Sequence, residues 1–311
     1  MLVPFATCSA AGCAEILRDL ALPNLQRLLR RLGVESTDPG DTRSLSVPHE
    51  RVLARSWGLE ATEGLIPLAA LQVRQSGAAN GTEGWAWISP AHWRVGRDHI
   101  DMAHPQDLQL DAEDSQALLA AMHPYFEEDG IRLTYEAPLR WLARGDIFRS
   151  LPTASLDRVI GRTIDGWLPA GDAGRPVRRL QQEMQMLLYT LPLNDARQRG
   201  GLLPVNSFWV SGTGALPQDR APQAADVLQL TPHLRDAALL GDWRAWAAAW
   251  QRLDARECAL MLGELDRGRP LRITLCGEAG ARTWSSGAAS GWQRLRGLIA
   301  AASPAQLVAG L

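Results

Sequence analysis

Apolar side chains recur every three or four positions between residues 14 and 32 (Ile16, Leu17, Leu20, Leu25, Leu28, Leu29, Leu32), the spacing of one buried helical face. Pro23 divides that pattern into two helices, and Gly33 is placed to stop the second. A short apolar start over 1–6 predicts a first strand. The polar run 35–47, with Pro39-Gly40, reads as a loop. A short helix over 49–57 and a turn over 58–64 come next. Residues 66–75 suit either a strand or a buried helical turn, and 75–84 is a loop. The segment 85–102 is β-rich and is divided by Pro90. Asp111 caps a helix over 111–122. Ile131, Leu133 and Tyr135 alternate as a strand does, with a second strand over 137–143.

The richest stretch is 151–214. Leu156, Val159, Ile160, Ile164 and Trp167 share one face of a predicted helix over 155–167, with Ser155 as its cap and Arg158, Arg162 and Asp165 opposite. A turn over 171–175 leads to Pro176 as the first residue of the next helix, whose buried face is Val177, Leu180, Met184, Leu187 and Leu188. Pro192 stops it, and Asn194 caps the next turn or helix. A strand over 205–210 runs into a loop at Ser211-Gly212-Thr213-Gly214. Residues 215–224 form a loop or linker. A helical region over 232–253 carries Trp243, Trp246 and Trp250 as a seam, and a further helix spans 256–265. A hairpin joins 271–276 to 281–285, and a helix over 291–301 closes the chain. Helices and strands alternate, so the class is α/β with a mixed sheet flanked by helices, in one domain of 311 residues with a possible subdomain.

Composition narrows the chemistry. With 46% hydrophobic residues the chain can bury a substantial core. A net charge of -2 gives no pull toward nucleic acid or anionic membrane, and no apolar run is long enough to span a bilayer. The start lacks a basic n-region, so no signal peptide is expected and the location is cytoplasmic. Cys8, Cys13, Cys258 and Cys276 contain no C-x-x-C pair and read as reduced, mostly buried thiols. All 32 basic residues are arginine, which excludes a Walker A lysine, a Schiff-base lysine and a Ser-Lys dyad. No G-x-S-x-G is present, and no basic stripe with stacking aromatics marks a nucleic-acid surface.

Two polar groupings remain. Arg158, Arg162, Arg178, Arg179 and Arg197 could surround an anion, with Asp165 orienting arginines and Asn206, Ser211 and Thr213 completing the site from the strand and loop. Arg178 and Arg179 would then stand in a helix's first turn, against its dipole, unless Asp157, Asp165 or Asp172 compensates them. His92, Asp98, His99 and Asp101, with His104 nearby, are ligand types for a metal, although their spacing matches no metal motif; no metal or other cofactor is expected.

The segment 193–214, LNDARQRGGLLPVNSFWVSGTG, resembles a stretch of the archaeal-type cofactor-independent phosphoglycerate mutases, and 22–33, LPNLQRLLRRLG, is similar to their T-P-N-L-D-R-L-x-x-x-G segment. A longer pattern, HWRVGRDH, ASLDRVIGRTIDGWLP, RRLQQEMQMLLYT and VNSFWVSGTG, more closely resembles a proteobacterial family of RpfE-type regulatory proteins, some of which carry the label phosphoglycerate mutase. The resemblance implies a reduced alkaline-phosphatase-like fold. Active mutases place an Asp-Gly pair after the first strand, a Ser or Thr nucleophile and a late Asp-His pair. Here the start is Val3-Pro4-Phe5-Ala6, and no histidine comes after His233. The resemblance therefore implies a non-catalytic regulatory or binding protein, taking a small phosphorylated ligand or a protein partner. The alternatives are a phosphomutase or phosphatase with a rearranged metal site, and an interaction scaffold. The oligomeric state stays open.

Overall fold

The computed structural model describes residues 1–77, 82–217, 231–288 and 303–311. In chain order the elements are β1 (Leu2–Val3), α1 (Ala11–Asp19), α2 (Pro23–Arg31) and β2 (Gly33–Asp38). Next come α3 (Pro48–Ser56), α4 (Leu68–Gln75), β3 (Trp85–Ala91), β4 (Trp93–Val95), β5 (Ile100–Met102) and α5 (Ala112–Glu128). After these stand β6 (Arg132–Ala137), β7 (Arg140–Arg144), α6 (Gly171–Tyr189), α7 (Pro192–Arg199) and β8 (Ser207–Gly214). The last are α8 (His233–Leu239), α9 (Trp243–Leu253), α10 (Ala259–Asp266), β9 (Arg272–Cys276), β10 (Ala281–Ser285) and α11 (Pro304–Val308). The chain divides into two compact units, one of residues 1–43 with 225–311 and one of residues 44–224. The helix expected over 291–301 and most of the linker expected over 215–224 lie outside the described residues.

The first unit is built on a mixed sheet in the order β1-β9-β10-β2, with β1 parallel to β9 and the other pairs antiparallel. The hairpin and the two N-terminal helices stand as expected. The region read as a loop from residue 35 instead begins with β2, an edge strand paired to β10. Its exposed polar side chains carry no alternation, so only the pairing with β10 makes it a strand. The tryptophan seam is internal. Trp246 and Trp250 are fully buried and, with the half-buried Trp243, form successive edge-to-face pairs at 6.3 and 6.2 Å. Gly241 at φ 67° breaks the expected single helix into α8 and α9.

The second unit holds the antiparallel sheet β6-β7-β3-β8, the ribbon β4-β5, and helices α3 to α7. One core packs α5 and α6 against this sheet through Phe126, Trp141, Met184, Leu188 and Phe208. Asp111 caps α5 as expected, accepting from the Asp114 N–H at 2.8 Å. Pro90 does not divide β3. It lies beyond Ile88, the last residue paired to β7, so β3 has only β8 beside it there.

Three segments differ from the sequence reading. Residues 155–167 are not a helix but two single 3₁₀ turns, Leu156–Arg158 and Asp165–Trp167. Between them the Gly161 N–H donates to the Met102 carbonyl at 2.9 Å and the Ile164 N–H to the Ile100 carbonyl at 2.9 Å. Gly161 at φ 68° turns the chain there, and the Arg162 N–H donates back to the Val159 carbonyl at 3.0 Å, so the helix does not continue. Pro176 lies inside α6 rather than starting it. The turn before it is already helical, held by Arg178, which donates to the carbonyls of Pro169 and of Gly171. Ser211 to Gly214 is not a loop but the end of β8. The glycine at 212 is needed because a Cβ there would sit 2.7 Å from the Trp87 ring.

Candidate functional site

The second unit contains a cleft of about 600 Å³ between the β4-β5 ribbon and the junction of α6 and α7. Trp93, Val95 and Ile100 line one wall. Gln185, Leu188 and Tyr189 come from α6, and Asn194, Asp195 and Gln198 from α7, with His92, Pro204 and Asn206 at the base. Val95 is 81% exposed and Tyr189 84%, so two large apolar side chains at this opening stay wet.

Two asparagines hold the cleft's frame. Asn206 accepts from the Trp93 N–H at 2.7 Å and donates to the Trp93 carbonyl at 2.9 Å, which continues the strand contact beyond Ala91. Asn194, buried inside α7, donates to the carbonyls of Leu188 at 2.8 Å and Val205 at 2.7 Å, and accepts from the Val205 N–H at 2.9 Å. It is a clasp between α6 and the approach to β8, not the expected cap, since Leu191 precedes Pro192 at the start of α7. Both amides are thereby used for architecture.

His92 is the histidine of the cleft. Its Nδ1 lies 2.8 Å from the Pro204 carbonyl, an obligate acceptor, so Nδ1 carries the proton and Nε2 holds a lone pair. Burial, with a smaller contribution from the Arg94 charge, lowers its pKa below the ordinary histidine value, outweighing the opposing pull of that carbonyl. Neutral His92 therefore offers an acceptor or base at Nε2, which no described protein group occupies. Asp195 adds a carboxylate, and Gln185 and Gln198 add amides.

The expected anion site is distributed differently. Arg158 is buried, donates to the carbonyls of Ser44 at 2.8 Å and Ser46 at 3.3 Å, and stacks over Trp167 at 5.9 Å. Its neighbourhood is a buried polar network, with Ser155 donating to Glu50 at 2.6 Å and His49 3.3 Å from Asp157. Arg197 is buried in a different set, 2.6 Å from Asp114 and bonded to the carbonyls of Leu108 and Leu203. Arg179 is exposed and pairs with Asp129 and Glu183. With α6 starting at Gly171, Arg178 and Arg179 stand about two turns inside the helix, away from its positive end. Arg162 and Asp165 are exposed, no longer on a helical face with Arg158. Ser211 is buried within β8. Thr213 donates to or accepts from Thr153 at 2.9 Å and reaches the Leu151 carbonyl at 2.7 Å. Of the expected anion residues only Asn206 reaches the cleft.

The metal candidates are divided too. His99 is 3.2 Å from Asp101, which also accepts from Thr163 at 2.8 Å, while His92 turns to Pro204. Asp98 is exposed. Among the described residues no three His, Cys, Asp or Glu side chains gather in a way that could hold a metal ion. None of their helices is long and apolar enough to cross a membrane.

Gln185, Tyr189 and Gln198 were not singled out by the sequence, and Asp195 was noted only as part of the Asn194-Asp195-Ala196-Arg197 turn. A signal was present. Met186 and Tyr189 are apolar residues on the side of α6 opposite Val177, Leu180, Met184 and Leu188, and both are largely exposed.

No family model matches the chain, and no curated protein matches it. Among solved structures, the cofactor-independent phosphoglycerate mutase from Thermoplasma acidophilum DSM 1728 is similar over 91% of this chain and 89% of that one, at 11% identity and a TM-score of 0.37. The PH0037 protein from Pyrococcus horikoshii is similar over 91% of this chain and 86% of that one, at 10% identity and a TM-score of 0.47. At that identity and overlap neither likeness reaches the chemistry of this chain.

Proposed function

We propose that this chain is a binding protein, of the regulatory kind that the RpfE-type resemblance implies, and that residues 44–224 take a small organic molecule in the cleft beside His92. The observation that carries this is the Nε2 lone pair of a neutral histidine at a cleft of about 600 Å³ whose opening keeps Val95 and Tyr189 in water. A ligand with an apolar ring or chain covers those side chains, and an N–H or O–H donor on it meets His92. The lining has Asp195 and no arginine, and the Arg94 charge acts on His92 from nearby, a mixed field that favours an uncharged molecule over a phosphorylated one. It also offers no Ser, Thr or Cys nucleophile, which favours binding over group transfer.

A thermal-shift screen tests this, comparing heteroaromatic amines and alcohols with 3-phosphoglycerate and inorganic phosphate. Saturation at a hundred times Kd adds about 2.7 kcal/mol of stability. The expected result is stabilisation by donor-bearing apolar compounds, weakened about tenfold, or about 1.4 kcal/mol, by His92→Asn and by Tyr189→Ala. The asparagine amide can keep the bond to Pro204 while removing Nε2. Stabilisation by the phosphorylated compounds alone, or hits indifferent to both variants, would overturn the assignment.

A further inference from the structure

The backbone of the β4-β5 ribbon alternates between bonded and open pairs. The Ala103 N–H donates to the His92 carbonyl at 2.9 Å, and the Gly96 N–H donates to the His99 carbonyl at 2.8 Å. With Trp93 opposite Met102, Arg94 opposite Asp101 and Val95 opposite Ile100, the bonded positions on this side are His92, Arg94 and Gly96. Trp93 and Val95 stand between them, so their N–H and C=O groups point away from β5. Both outer edges agree. Met102, opposite Trp93, accepts from the Gly161 N–H at 2.9 Å and donates to the Arg162 carbonyl at 3.1 Å. On the other edge, both outward groups of Trp93 are bonded by the Asn206 amide.

Val95 is the next position on that edge, about 7 Å beyond Trp93 at the two-residue repeat of a strand. No described group is bonded to its outward N–H or C=O. Val95 also lines the cleft and is largely exposed. Asn206 shows what fits such a pair, a carboxamide with one acceptor and one donor side by side. We propose that the ligand of the cleft is a short uncharged peptide, which adds to the edge of β4 and bonds the N–H and C=O of Val95 as Asn206 bonds those of Trp93. This holds only if the cleft beside His92 is the binding site, and it fixes the class of the ligand.

The lining suits such a strand. A residue opposite Val95 places its side chain on the face that Val95 shares with Ile100, so an apolar side chain there covers both. A further amide N–H of the same peptide supplies the donor for His92 Nε2. Main-chain bonds then give affinity, and the apolar contact gives selectivity. The segment is short because β4 has three residues and Asn206 already occupies the position before Val95.

The test is binding of the capped tripeptide acetyl-Ala-Leu-Ala-amide to the full chain, read by thermal shift and by NMR of valine-labelled protein. Heteroaromatic amines and alcohols, which carry a donor but no amide, are the comparison. The Val95 amide hydrogen should exchange at least about tenfold more slowly with the peptide bound, and at an unchanged rate with the amines. Val95→Pro deletes the outward N–H and spares the ladder to β5, in which that N–H takes no part. It should weaken the peptide about tenfold and leave the amines unaffected, whereas His92→Asn weakens both. Peptide binding to wild type with Val95 exchange unchanged would overturn the proposal, whether or not the proline variant folds. Amines and alcohols that bind where the peptide does not would overturn it and leave the cleft as a site. If no compound binds, both readings fall.

Discussion

The side-chain amide of Asn206 binds both backbone groups of Trp93, N–H at 2.7 Å and carbonyl at 2.9 Å, across 113 residues of chain. One residue thereby acts as a strand partner where β8 has not yet begun. It ties the β4-β5 ribbon to the main sheet and sets one wall of the cleft. Asn206→Ala leaves two partly buried backbone groups without partners. It should cost about 2–4 kcal/mol in urea unfolding and weaken any cleft ligand in parallel. An unchanged denaturation midpoint would contradict the clasp.

His92 gives a pH signature. Its folded pKa lies below the unfolded value of about 6.5, so the unfolded chain binds the extra proton between those two values. The stability tied to neutral His92 is complete above about pH 6.5 and is lost as pH falls through the folded pKa. The stability difference between wild type and His92→Asn should therefore fall on acidification, as read from chemical denaturation at a series of pH values. A difference that stays level with pH would place His92 in water.

Arg197 and Arg179, both named as anion ligands from sequence, should separate in mutagenesis. Arg197 is buried with Asp114 at 2.6 Å, and Arg197→Ala leaves that carboxylate and two carbonyls without their donor, at about 3–5 kcal/mol. Arg179→Ala removes an exposed ion pair and should leave the melting temperature in place. Equal effects from the two would refute the distinction.

In the first unit, Asp254 caps α2 from a distance. Its carboxylate accepts from the Leu25 N–H at 2.6 Å and the Asn24 N–H at 3.3 Å, and Asn24 answers with a bond to the Asp254 carbonyl at 3.1 Å. Asp254→Ala should cost about 1–2 kcal/mol, measured by thermal unfolding. Rescue by Asp254→Asn, which keeps one acceptor, should be partial.

Local periodicity and capping determined much of the chain. The leucines of α1 and α2, the Asp111 cap and the 272–285 hairpin could each be read directly, because each depends on neighbours a few residues away. So could α/β as the class. Tertiary structure decided the places where a partner lies far along the chain. Val159, Ile160 and Ile164 are buried as a helical face would bury them, yet isolated bridges from Met102 to Ile160 and from Asp101 to Thr163 take the place of a continuous helix. The glycines at 212 and 214 suggested a loop, but Trp87 packing on the first keeps that segment in β8. The arginines were legible as a group and their partners were not. Asp114 lies 83 residues from Arg197 and Ser44 lies 114 from Arg158, and an ion pair or a carbonyl acceptor leaves no period in a sequence. The cleft beside His92 has the same origin. Its walls come from a ribbon, two helices and a connecting loop, and only folding brings their side chains around one space.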